Sequence, residues 1–172
     1  MDKLLKRKVL KKYSALEWVL ASFAAAFCLC AFCMFFADGI TDAGGDGKPV
    51  YLITFDLRVD GLHFNALAFF AYILPLIAAL FALIPFKCRW HTLVIAVAML
   101  YCGVVQMCLR EVYFIKYSAE IASMYRAAGV VTSQYAYLAG AFSLIAALLL
   151  IAKFLLPIIA RKHGACNGKE EV

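Results

Sequence analysis

Four apolar stretches dictate what this chain can become: Leu16–Ala37, Ala66–Phe86, Thr92–Leu109 and Tyr135–Ile159. Each approaches or exceeds the roughly 20 residues that a helix needs to cross a hydrocarbon core about 30 Å thick. In lipid every backbone N–H and C=O must find a partner within the protein, so each stretch is predicted to be a helix. Composition agrees: 66% of the 172 residues are hydrophobic and 16% charged, with a mean hydropathy of +0.86. Soluble domains sit nearer about 45–50% and about 25%. The expected fold class is an all-α membrane protein, a four-transmembrane-helix up-down bundle in a single domain over residues 1–172.

Charge sets the expected orientation. Lys3, Lys6, Arg7, Lys8, Lys11 and Lys12 crowd the N-terminal tail. With that tail inside, the inner segments also hold Lys87, Arg89, Lys153, Arg161, Lys162 and Lys169, twelve cations in all. The outer segments hold five: Lys48, Arg58, Arg110, Lys116 and Arg126. This asymmetry predicts both termini in the cytoplasm, with a plasma membrane as the default location. The tail cations beside anionic lipid headgroups attract them at about 1 kcal/mol each. The formal charge of +6 does not signal nucleic acid, because no basic face recurs along a soluble helix.

The first span is interrupted only by Glu17 at its start, with Trp18 at the interface. It exceeds the roughly 7–15 apolar residues of a cleaved signal peptide, and no small-x-small site follows it. It reads as a retained signal-anchor helix.

Between the first two spans lies an outer loop, residues 38–65. Asp38–Lys48 is Gly/Asp-rich and reads as a solvated linker rather than a calcium site. From Val50 to Val59, Tyr51, Ile53, Phe55, Leu57 and Val59 alternate with Leu52, Thr54, Asp56, Arg58 and Asp60. Period 2 predicts a strand, and Asp60-Gly61 suits a type I′ turn. The expected register pairs Val59 with Leu62, Arg58 with His63, Leu57 with Phe64 and Asp56 with Asn65. The second strand then covers only Asp56–Val59, which leaves an open edge over Val50–Phe55.

Pro75 sits mid-way along the second span, where it leaves the Ala71 carbonyl without its helical donor and should kink the helix. Asn65 is the expected N-cap. The third span is broken only by Gln106 before Arg110 and Glu111 mark the far interface, ending the span at 111. Residues 112–131 read as an outer amphipathic segment with Phe114, Tyr117, Ile121 and Met124 or Tyr125 on one stripe. Gly129 ends it, Thr132 or Ser133 caps the fourth span, and that span ends near Pro157 and Arg161. Ala21/Ala25, Ala78/Ala82 and Ala136/Gly140 are small-xxx-small pairs suited to close helix contact.

Candidate chemistry is sparse. Cys30 and Cys33 form a C-x-x-C motif, and Cys108 lies near the same outer level. Buried in an apolar span they read as packing residues before redox ones. Gln106, Arg110 and Glu111 are the polar cluster bordering a membrane segment, with 106 and 110 expected on one helical face. His63 opposite Asp56 lacks a nearby nucleophile, and His91 and His163 show no metal spacing, so neither cofactor nor metal is expected.

The leading expectation is a small non-enzymatic integral membrane protein, an accessory or interaction subunit. It would bind a membrane-protein partner or a second copy through Val50, Leu52, Thr54, Asp56, Arg58 and His63 of its extracytoplasmic β cap. The alternatives are a quinone-linked thiol-disulfide oxidoreductase of the four-helix type and a subunit of a transporter or channel.

Overall fold

The computed structural model describes residues 14–58, 61–86, 89–115 and 119–167. In chain order the elements are α1 (Ala15–Cys33), a 3-10 turn (Met34–Phe36), β1 (Asp38–Thr41), β2 (Gly47–Pro49), α2 (Val50–Thr54), β3 (Phe55–Arg58) and β4 (Gly61–Phe64). They continue with α3 (Ala66–Leu83), α4 (Trp90–Met107), α5 (Leu109–Phe114), α6 (Ala119–Ala127), β5 (Val131–Thr132) and α7 (Gln134–Asn167). The basic tail, Lys3 to Lys12, lies outside the described residues, as do Val59, Asp60 and Tyr117.

Among the described residues four segments are long and apolar enough to cross a membrane: Ala15–Phe36, Ala66–Leu83, Trp90–Met107 and Gln134–Ile159. They mark an integral membrane protein. The helices close a ring in which α1 packs on α3, α3 on α4, α4 on α7 and α7 on α1. One core, with Phe35, Tyr72, Leu109 and Ala136, gathers the end of α1, the start of α3, the end of α4 and the start of α7. Consecutive long helices therefore run antiparallel. The second core is alanine-rich, built from Ala24, Ala25, Ala78, Ala79, Ala82, Ala96, Ala146 and Ala147 around Met99 and Leu150.

Small residues let the backbones approach. A Cβ on Gly140 would stand 3.0 Å from the Gly103 carbonyl oxygen, and one on Gly103 would stand 3.2 Å from that of Gly140. Ala21, Ala25, Ala78, Ala82 and Ala136 are all buried. The caps follow their chemistry. Ser14 and Glu17 form a capping box on α1, Asn65 Oδ1 accepts from Ala68 N–H on α3, and Ser133 Oγ accepts from Ala136 N–H on α7.

Several expectations need correction. Val50–Thr54 is a helix, so the long strand and its open edge do not exist. Both periods fit the five-residue run Val50–Thr54, and burial follows the helical one: Val50, Ile53 and Thr54 are buried, at i, i+3 and i+4. Pro49 sets φ at the start, and Thr54 Oγ1 donates back to the Val50 carbonyl at 3.0 Å. The strand that remains pairs Phe55 with Phe64, Asp56 with His63, Leu57 with Leu62 and Arg58 with Gly61. That register is offset by two residues, which preserves the expected faces; an offset of one would have exchanged them.

The Gly/Asp segment is no mere linker. β1 pairs with β2 and with β5, so a three-stranded sheet joins the two loops at this end. The outer segment is two helices rather than one amphipathic stripe; Phe114 is buried and Met124 exposed, and Gly129 at φ +74° follows the end of the second helix. The fourth span ends at Ile159 as expected, though α7 itself runs on through Pro157 to Asn167.

Candidate functional site: the capped end of the bundle

The cap is stitched to the helices by backbone and side-chain bonds. Val50 N–H donates to Ala37 at 3.0 Å, Asn65 N–H to Thr54 at 2.8 Å, and Ser133 N–H to Gly39 at 3.0 Å. Ser133 Oγ also donates to the Asp38 carbonyl. Asn65 Nδ2 reaches the Val112 carbonyl at 3.3 Å, tying α3 to α5. Gly39 is required where β1 meets the core, because a Cβ there would stand 2.6 Å from Leu109 Cδ2 and 2.7 Å from Ile53 Cδ1. Asp42 Oδ1 accepts from the N–H groups of Gly44 and Asp46, both at 2.9 Å, folding the β1–β2 tip with its own carboxylate.

Of the residues expected to bind a partner, Val50 and Thr54 are fully buried and cannot present themselves. Leu52 is 42% exposed. Asp56, Arg58 and His63 are placed by their backbone pairing alone, their side chains lying outside the description. What the cap does present is aromatic. Phe55 and Phe64 stand with ring centroids 5.5 Å apart, 42% and 48% exposed, and both rings contact Phe69 of α3 at 6.0 and 5.2 Å. Phe69 continues the cluster to Phe70 at 5.6 Å, with exposed Leu67 on the same helix.

The polar cluster divides. Gln106 is fully buried, donates from Nε2 to the Ala71 carbonyl at 2.8 Å and accepts from Ser143 Oγ at 2.7 Å. Arg110 lies beyond the end of α4, which stops at Met107 before the chain turns at Cys108 into α5. Arg110 instead clasps Glu111 through Nε at 2.9 Å and Nη2 at 2.6 Å, and Arg126 Nη2 takes the other carboxylate oxygen at 2.7 Å. These hydrogen bonds, Arg110's first and then Arg126's, hold the Glu111 carboxyl below its ordinary value. Arg126 also lies over the Phe114 ring, and Lys48 Nζ donates to Tyr113 OH at 3.2 Å.

Cys30, Cys33 and Cys108 are free and exposed on the bundle surface, while Cys28 and Cys102 are free and buried. Among the described residues no three His, Cys, Asp or Glu side chains converge. Glu17, read as an interruption at the start of its span, and Lys153, read as an inner-flank cation, are both buried at the opposite end. Their signal was an ionisable group in an apolar run, hidden by counting Lys153 with the inner flank. Comparison with known protein families, curated proteins and solved structures finds no match for this chain.

Proposed function

We propose that this is a non-enzymatic accessory protein of the plasma membrane, with both termini in the cytoplasm and its β cap outside, where it binds a second membrane protein. The carrying observation is the aromatic ridge of Phe55 and Phe64. Those rings are braced by Phe69, so binding would not have to order them first. The ridge continues to Phe70, with exposed Leu67 on the same first turns of α3, and the proposed orientation would set this end where lipid gives way to water. A partner fitting that surface is an apolar juxtamembrane segment with aromatic anchors. Strand addition along Val50–Thr54 is not the mode, since that segment is helical, and the β2 edge carries Lys48 and Pro49.

A photo-reactive phenylalanine at position 64 in native membranes tests the reading. A single second protein captured in constant yield, and lost in Phe55→Ser, is expected. Capture of this same chain would make the partner a second copy. Lipid adducts alone would overturn the reading.

A further inference from the structure

Just past the end of α4, two guanidiniums close on one carboxylate. Arg110 holds Glu111 Oε1 through Nε and Nη2, and Arg126 holds Oε2 through Nη2 at 2.7 Å. Glu111 therefore joins α5, which carries Arg110, to α6, which carries Arg126. Two cations against one anion leave the trio positive. Among the described residues no second carboxylate pairs with either arginine, and Arg110 Nη1 and Arg126 Nε and Nη1 have no hydrogen-bond acceptor. The two side chains are 36% and 51% exposed, so a ligand can reach these unused donors.

Their placement is fixed before anything binds. Glu111 orients both forks, the Arg126 guanidinium lies 5.7 Å from the centre of the Phe114 ring, and Arg110 N–H donates to Thr132 Oγ1 of β5 at 3.3 Å. Little side-chain freedom is left to lose on binding. Planar guanidinium forks match the paired oxygens of phosphate and carboxylate groups. Depth selects between these two. Arg110 is three residues beyond Met107, where the apolar segment of α4 ends, or about 5 Å at helical rise. A headgroup layer roughly 5–7 Å deep flanks the hydrocarbon on each side, and the oxyanions of that layer are phosphate diesters. Ile115 at the end of α5 and Met124 of α6 are 69% and 71% exposed, apolar side chains suited to the acyl chains below a headgroup.

We propose that the clasp of Arg110, Glu111 and Arg126 binds a phosphate diester anion, carried by an anionic phospholipid of the leaflet at the capped end. The spare N–H groups of both arginines donate to the phosphate oxygens, Glu111 holds the forks in place, and Ile115 and Met124 meet the lipid beneath. The surplus positive charge favours a headgroup whose phosphate has no ammonium of its own. The site rests neither on the aromatic ridge nor on which side of the membrane the cap occupies.

Native mass spectrometry of the full chain, released from nanodiscs holding equal phosphatidylglycerol and phosphatidylcholine, tests it. Retained phosphatidylglycerol should outnumber phosphatidylcholine, and Arg126→Gln should lower its occupancy about fivefold, the effect of one surface cation. Arg110→Gln should lower it as well, and serves if Arg126→Gln misfolds. Neutralising Lys3, Lys6 and Lys8 should leave the arginine-dependent adduct in place. Equal retention of both lipids, or occupancy indifferent to both arginines, would overturn the proposal. Loss of the adduct to millimolar inorganic phosphate would overturn the lipid as its source and leave a site for the free anion. A photo-reactive phenylalanine at position 124 should capture lipid in native membranes. Capture there of one constant second protein, lost in Arg126→Gln, would assign the clasp to an acidic partner and overturn the lipid site.

Discussion

Gln106 Nε2 donates to the Ala71 carbonyl at 2.8 Å, and Ala71 is the residue whose helical donor Pro75 removes. A helix break on α3 and a buried amide on α4 thus complete one another. Ser143 of α7 occupies the amide oxygen, so three spans share the connection. Gln106→Leu should cost about 1–2 kcal/mol, in the range of interhelical hydrogen bonds. In a Pro75→Ala background the Ala71 carbonyl regains an N–H, and the same substitution should cost less. Steric-trap unfolding in bicelles of the four proteins gives the coupling. An identical cost in both backgrounds contradicts the relationship.

The Gly103–Gly140 contact carries the α4–α7 seam. Gly140→Leu would drive its side chain into Met107 and the Gly103 carbonyl, and overpacking of that kind costs about 1–3 kcal/mol. Leu148→Ala, on the exposed side of α7, should change stability little, because lipid replaces what is removed. Thermal melts in matched detergent check both. Equal shifts for the two variants would contradict the seam.

Tyr72 OH is buried in the core at the capped end and finds no hydrogen-bond partner among the described residues. An unpaired hydroxyl there is a cost that phenylalanine avoids, so Tyr72→Phe should be neutral or stabilising by up to about 1 kcal/mol. A clear loss of stability would mean that a bound water satisfies the group.

These three cases mark what was legible in the sequence. The spans, the Asn65 cap and the freed carbonyl at Ala71 follow from local rules about apolar length, side-chain oxygens and proline. That Gln106 would supply the missing donor depends on which faces of α3 and α4 meet, which the order of residues does not contain. The same limit hid β5, whose two residues, Val131 and Thr132, become a strand by meeting Ile40 and Thr41 about 90 positions earlier in the chain. Val50–Thr54 misled for a different reason: four apolar residues and a threonine satisfy both periods, and Pro49 together with the burial of Ile53 decided between them. At the capped end alternation put Phe55 and Phe64 on one face but not opposite each other, since the expected register paired Phe64 with Leu57, and their brace, Phe69, belonged to a span read only as crossing the membrane.

Glu111 predicts a pH dependence. Arg110 and Arg126 depress its carboxyl below 4.5 in the folded protein. A lowered folded value adds stability that is complete above the unfolded value and disappears as pH falls through the folded one. The α5–α6 clasp should hold from neutral pH to about pH 4.5 and loosen below it, weakly, since the groups are half exposed. A spin label on Ser123→Cys in α6 should gain mobility between pH 7 and pH 3. With Glu111→Gln it should be mobile at both. Unchanged spectra in all four conditions contradict the clasp.

In the proposed orientation the four-span bundle carries its cap outside the cell. Gly44→Cys places a thiol on the exposed β1–β2 tip, and Lys8→Cys places one in the basic tail. An impermeant maleimide applied to intact cells should modify position 44 at once and position 8 only after permeabilisation. Labelling in the reverse order, or both sites reached together, would contradict the account.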